Sequence, residues 1–166
     1  MKSEDNDYFG RDIVCIDQNR DGYDDIAIGA RSRNDKRIRT YLFHGSSNKS
    51  LDTDPDAVID GEIGGSGYGI QEVCGDIDGD NVNDLVIAAS GAGRVYAYWA
   101  KELTTPDPKP GRIFTGEHPH DQFGGELACG DVNNDGFDDL VIGAPGYKAG
   151  ARQGRAYLYY GGPLNK

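Results

Sequence analysis

Three short stretches of this chain carry side chains able to act together: Asp17-Gln18-Asn19-Arg20-Asp21-Gly22-Tyr23-Asp24-Asp25, Asp76-Ile77-Asp78-Gly79-Asp80-Asn81-Val82-Asn83-Asp84 and Asp131-Val132-Asn133-Asn134-Asp135-Gly136-Phe137-Asp138-Asp139. Positions 1, 3, 5 and 9 are Asp or Asn in every copy, and ten of these side chains are carboxylates. Short oxygen-bearing side chains at alternate positions of a curled loop converge on one point. That suits a hard cation such as Ca2+, which takes about 6 to 8 oxygen ligands. Asn-Asp-Gly segments ordinarily make hairpin turns. A turn alone needs no like charges so close together, and without a cation they repel.

The first half of each loop follows the spacing of an EF-hand, with ligands at positions 1, 3 and 5, a glycine at 6 and a backbone carbonyl at 7. The bidentate acid at position 12 is missing, because Ile28, Ile87 and Ile142 stand there. An aspartate at position 9 closes the site instead. The predicted ligands are Asp17, Asn19, Asp21, the Tyr23 carbonyl and Asp25 in the first loop, and Asp76, Asp78, Asp80, the Val82 carbonyl and Asp84 in the second. In the third they are Asp131, Asn133, Asp135, the Phe137 carbonyl and Asp139. Asn81 replaces the glycine of the second loop, which is tolerable because Asn enters left-handed conformations more readily than most residues. Three Ca2+, one per repeat, would bring the formal charge from −11 to −5 (−11 + 3 × 2). The folded state is therefore expected to be calcium-linked.

Such loops need rigid elements on either side, and these recur in register. Phe9-Gly10, Tyr68-Gly69 and Phe123-Gly124 each precede the first loop aspartate by eight positions. Gly29-Ala30-Arg31, Ala88-Ala89-Ser90 and Gly143-Ala144-Pro145 follow it by twelve, and Cys15, Cys74 and Cys129 stand two before it. Each unit reads as short strands. The first covers 13–16, 72–74 or 127–129, and the second 25–28, 84–87 or 139–142, near-continuous apolar runs expected of strands buried on both faces. The third covers 39–43, 94–98 or 155–159, with aromatic residues at period two. A fourth is legible at 57–60 and 112–115, with no counterpart in the third unit.

Four short antiparallel strands per repeat is the pattern of a β-propeller blade. The expected fold is all-β: one partial propeller over 1–166, with blades over about 9–62, 68–116 and 123–166, the last without its fourth strand. A ring typically needs about 4 to 8 blades, so three do not close one. Composition agrees, since 25 glycines, 10 tyrosines and one methionine in 166 residues exclude an all-α fold. A net charge of −11 argues against nucleic acid and an anionic membrane surface, and no apolar run approaches the roughly 20 residues of a membrane helix.

Taken together, the Phe-Gly, aspartate-loop and Gly-Ala-Pro elements resemble the FG-GAP repeats of the integrin α-subunit β-propeller and of related extracellular proteins. The third unit matches best, with Phe123-Gly124 and Gly143-Ala144-Pro145 intact, and the second departs most. The resemblance implies propeller blades, calcium loops on one face, and ligand or partner binding on another. No inserted domain interrupts the repeats, so an adhesion mode relying on one is not carried over.

The remaining features have plainer readings. Tyr41, Phe43, Tyr96, Tyr98, Tyr157, Tyr159 and Trp99 are expected to pack blade on blade rather than stack on sugars. Arg39, Arg94 and Arg155 are expected to pair with acidic loops. His118 and His120 are too few for a zinc site, and Asp52, Asp54 and Asp56 read as a solvated loop. The odd number of cysteines suggests three small buried hydrophobes, not disulfides. With no nucleophile beside a base and no phosphate loop, the expected function is a non-catalytic, calcium-binding module for adhesion or protein recognition. It would complete its ring as a homodimer of six blades or with further blades of a parent chain, and bind a protein or glycan ligand without inserting into a membrane. An extracellular or cell-surface setting is expected, with the export signal absent from Met1 to Gly10. The alternative is a carbohydrate-binding or accessory portion of an extracellular enzyme.

Overall fold

The computed structural model describes residues 8–32, 37–47, 53–63, 71–105, 107–147 and 153–163. Tyr68-Gly69 and Asp52 lie outside them. The described residues form three antiparallel meanders. The first sheet runs in the order β1 (Asp12–Ile16), β2 (Asp25–Arg31), β3 (Arg37–Phe43) and β4 (Ala57–Ile63). The second repeats it as β5 (Glu72–Gly75), β6 (Asp84–Ala89), β7 (Arg94–Tyr98) and β8 (Arg112–Thr115). The third has three strands, β9 (Glu126–Gly130), β10 (Asp139–Ala144) and β11 (Arg155–Tyr159). The fold is all-β, and one helical turn, α1 (Ala100–Leu103), tucks Ala100 and Leu103 into the core.

The sheets lie face to face, with β1 beside β5 and β5 beside β9, so the first strands form the common edge. Strand alternation sorts each blade into two faces. Leu85, Ile87, Tyr96 and Tyr98 turn toward the first blade and meet Ile16, Ala27, Ile38, Leu42 and Ile59. Val86, Ala88, Val95 and Ala97 turn the other way and meet Leu140, Ile142, Ala144 and Tyr147 of the third blade. Every residue of β6 is consequently buried. β10 departs from the expectation of burial on both faces: Leu140 and Ile142 are fully buried against the second blade, but Val141 on the other face is only half-buried because no sheet covers it.

The aromatic columns pack. Tyr41 and Phe43 lie edge-on to Phe9, with ring centroids 5.5 and 6.4 Å apart. Across the second junction Tyr159 meets Phe114 at 4.6 Å, and within the third unit Tyr157 meets Phe123 at 5.2 Å. Trp99 is buried so closely against Gly111 that any Cβ there would run into its indole. The cysteines are free, and Cys74 and Cys129 pack half-buried in the two junctions. Cys15 departs from the expected burial because the face of the first blade that carries it has no neighbouring blade.

Candidate metal centre

Each aspartate loop joins the first strand of a blade to its second, and all three fold by the same cascade of side-chain to backbone hydrogen bonds. The position-1 carboxylate accepts from the N–H groups of positions 5 and 6. Asp17 takes those of Asp21 and Gly22 at 3.2 and 3.1 Å, Asp76 those of Asp80 and Asn81 at 3.0 and 2.9 Å, and Asp131 those of Asp135 and Gly136 at 3.1 and 2.9 Å. The position-3 side chain accepts from the N–H of position 5, and position 5 accepts from position 7: Tyr23, Val82 and Phe137 donate at 2.9, 2.9 and 3.0 Å. The chain can curl so tightly because positions 4 and 6 are left-handed, including Asn81 at φ 64°.

The position-9 aspartates, Asp25, Asp84 and Asp139, are fully buried and tie each loop to the chain leaving the third strand. Asp25 accepts from Gly45 N–H at 2.8 Å, Asp84 from Ala100 at 3.0 Å, and Asp139 from Gly161 at 2.9 Å. Asp84 also accepts from the N–H groups of Ile77 and Asp78, and Asp139 from Val132. Burial pushes the Asp84 carboxyl up to about 7, with the neighbouring Asp78 charge adding to it. Burial likewise raises Asp25 and Asp78, the latter also under repulsion from Asp80.

The second loop gathers ligand atoms most closely. One carboxylate oxygen from each of Asp76, Asp78 and Asp84 lies within 4.8 Å of the others, the one such trio of Asp, Glu, His or Cys among the described residues. Asp80 stands outside the trio and meets Arg20 of the first loop, whose guanidinium donates to its carbonyl oxygen and lies 3.5 Å from its carboxylate. In the first and third loops the position-3 amides of Asn19 and Asn133 donate to the carboxylates of Asp21 and Asp135 at 3.0 and 2.8 Å, so the amide relieves part of the repulsion that Asp78 and Asp80 retain. In the first loop Oδ2 of Asp25 is buried and meets no hydrogen-bond partner among the described residues. Buried, mutually repelling carboxylates with an orphaned oxygen fit an oxygen-ligated cation. The residues that would hold it are those at positions 1, 3, 5 and 9.

Several contacts at this rim escape a reading of the loops alone. Asp138, at position 8, accepts from Asp76 N–H at 3.0 Å and donates its own N–H to the Asp76 carbonyl at 2.9 Å, binding the third loop to the second. Glu72 occupies a column that is Ile13 and Leu127 in the other units and is buried between blades. Arg39 pairs with Asp60 at 2.8 Å and Arg155 with Glu117 at 2.6 Å. Asp60 was findable, since it lies opposite Arg39 in the register of β3 and β4. Asp56 accepts from His44 N–H at 2.7 Å, and His118 lies against the Tyr147 ring.

A family model for the FG-GAP repeat matches residues 123–159, the third unit. The chain is 28% identical over 174 aligned positions to integrin alpha-5 of Xenopus laevis, covering 97% of this chain and 16% of that protein. It is 33% identical over 142 positions to the phosphatidylinositol-glycan-specific phospholipase D of Mus musculus, covering 76% of this chain and 17% of that protein. To integrin alpha-8 of Gallus gallus it is 37% identical over 104 positions, covering 58% and 10%. The chain thus spans between 10% and 17% of the length of these relatives. No helix among the described residues is long and apolar enough to cross a membrane.

Proposed function

From the premise that this chain is an FG-GAP, integrin-like repeat protein, we propose that it is a non-catalytic calcium-binding module for adhesion or protein recognition, working outside the cell or at its surface. Each of the three aspartate loops holds one Ca2+. The observation carrying this reading is the convergence of the half-buried Asp76 with the buried Asp78 and Asp84, carboxylates that repel one another without a counter-ion. Calcium would neutralise them and stiffen the loop rim, presenting a fixed surface to a protein ligand.

The test is a thermal melt of the chain in millimolar Ca2+ and in excess chelator, with a calorimetric titration for stoichiometry. A raised melting temperature and three bound ions are expected; an unchanged melt and no heat of binding would sink the reading. The similarity to the phospholipase D favours a second reading, an accessory or glycan-binding portion of an extracellular enzyme. Against sugar stacking on the strands, Tyr98 and Trp99 are 5% and 6% exposed. Specific binding of the folded chain on a glycan array would decide for the second reading.

A further inference from the structure

Both halves of a blade junction are uncovered at the first strand and its loop on this one chain, and they are counterparts of each other. Behind them on the first blade, Ile28, Ala30, Tyr41 and Phe43 are buried against Phe9. Within the chain the same contacts join the first blade to the second and the second to the third. A side chain at the beginning of one first strand accepts an N–H near the beginning of the next: Asp12 takes Glu72 N–H at 2.5 Å, and Gln71 takes Leu127 N–H at 2.7 Å. The repeat places Glu126 in the same position on the third blade, and Ile13 carries the equivalent N–H on the first.

The glycines report the same pairing. A Cβ at Gly75 would meet Cβ of Cys129 at 3.0 Å and the Asp138 side chain; the repeat-equivalent Gly130 has nothing within 4 Å, while Cys15, the equivalent of Cys129, is exposed. A Cβ at Gly124 would meet Val95 at 2.9 Å and Ala88 at 3.2 Å; its equivalent Gly10 faces open space, and the counterparts of Val95 and Ala88 on the third blade, Ala156 and Gly143, are exposed and half-buried. Gly79 is covered by the Phe137 ring. The corresponding pair is Asn134 and Tyr23, the latter 44% exposed. The uncovered positions are apolar where the made junctions are apolar. Ile77 and Ala97 are buried, whereas Val132 and Leu158 in the same places on the third blade are 59% and 44% exposed. Ile13, in the place of buried Glu72 and half-buried Leu127, is 57% exposed.

We propose that the outer face of the third blade takes the outer face of the first blade of a second copy of this chain, and that two such junctions close a six-bladed ring about a two-fold axis. The occupant follows from continuity with the two junctions already made, since each missing contact has its partner residue on the same sequence. A head-to-tail contact that closes makes a ring, and six blades fall within the usual range of about 4 to 8.

The test is molar mass by light scattering after size exclusion, for the 166-residue chain in millimolar Ca2+ from micromolar to sub-millimolar concentration. Twice 17.9 kDa is expected for the parent chain and a single 17.9 kDa for Gly130→Trp, whose new side chain has open space in one copy but blocks the junction. Leu158→Lys, at an already exposed position, should also be monomeric, and circular dichroism checks that both variants keep the strand signal. A monomeric parent chain would assign the faces to other blades or another protein and overturn the proposal. Masses climbing with concentration would show an open chain, and a dimer surviving in a folded variant would place the contact elsewhere; each overturns it too. The proposal does not depend on the calcium reading: a dimer without calcium heat would reject that reading and retain this one.

Discussion

At the scale of single residues, Glu72 shows how a repeat tolerates one costly exception. Its carboxyl is 5% exposed between the first two blades, with Oε1 accepting from the Thr40 hydroxyl at 2.5 Å and Oε2 meeting no partner among the described residues. Burial pushes it up to about 8 from an ordinary 4.5, with the neighbouring Asp12 charge adding to the effect. Because the folded value lies above the unfolded one, the folded protein keeps a proton that the unfolded chain releases between those limits. Stability therefore falls as pH rises from about 4.5 to about 8 and levels off beyond. Glu72→Gln can still accept from Thr40 but does not titrate. It is expected to flatten that slope and to stabilise the fold by on the order of 3 kcal/mol at pH 8. Parallel curves of melting temperature against pH for the two proteins would refute this.

Among the elements, the loops and the junctions can be separated by two glycines. Gly79 and Gly136 both have positive φ, at 78° and 91°, but a Cβ at Gly79 would overlap the Phe137 ring, while at Gly136 it meets nothing within 4 Å. Gly136→Ala should cost about 1 kcal/mol for the left-handed backbone alone. Gly79→Ala should cost roughly 2 kcal/mol more, because the ring must move out of the junction. Urea unfolding measures both, and equal losses would mean that Phe137 gives way freely. The strands were legible in the sequence because a blade is made of local hairpins whose period-two pattern, turn residues and spacing are all written within one unit. The loop ligands were legible because Asp and Asn occupy fixed offsets. What the sequence hid is long-range: the N–H of Asp76 capped by Asp138, the reach of Arg20 onto Asp80, and the half-exposed second face of Val141 depend on which blade lies beside which. The one-turn helix α1 was also missed, since four residues carry too little periodicity to be read.

For the molecule as a whole, a net charge of −11 concentrated in loops along one rim makes self-repulsion a long-range property of the fold. Salt screens it over a Debye length of about 10 Å at 0.1 M, so in chelator the melting temperature should rise with added sodium chloride. With Ca2+ bound the same addition should change it much less. Equal responses under the two conditions would show that the rim charge is not what calcium relieves. One further consequence follows from the plain order of the sheets. Each blade pairs its strands strictly with their neighbours in the chain, and the first completes its ladder within Asp12–Ile63 before any residue of the second is needed. Contacts that close over short stretches form quickly, and chains synthesised from the amino end can use them as they emerge. The protein can therefore assemble vectorially, each finished blade offering the next a template already in place.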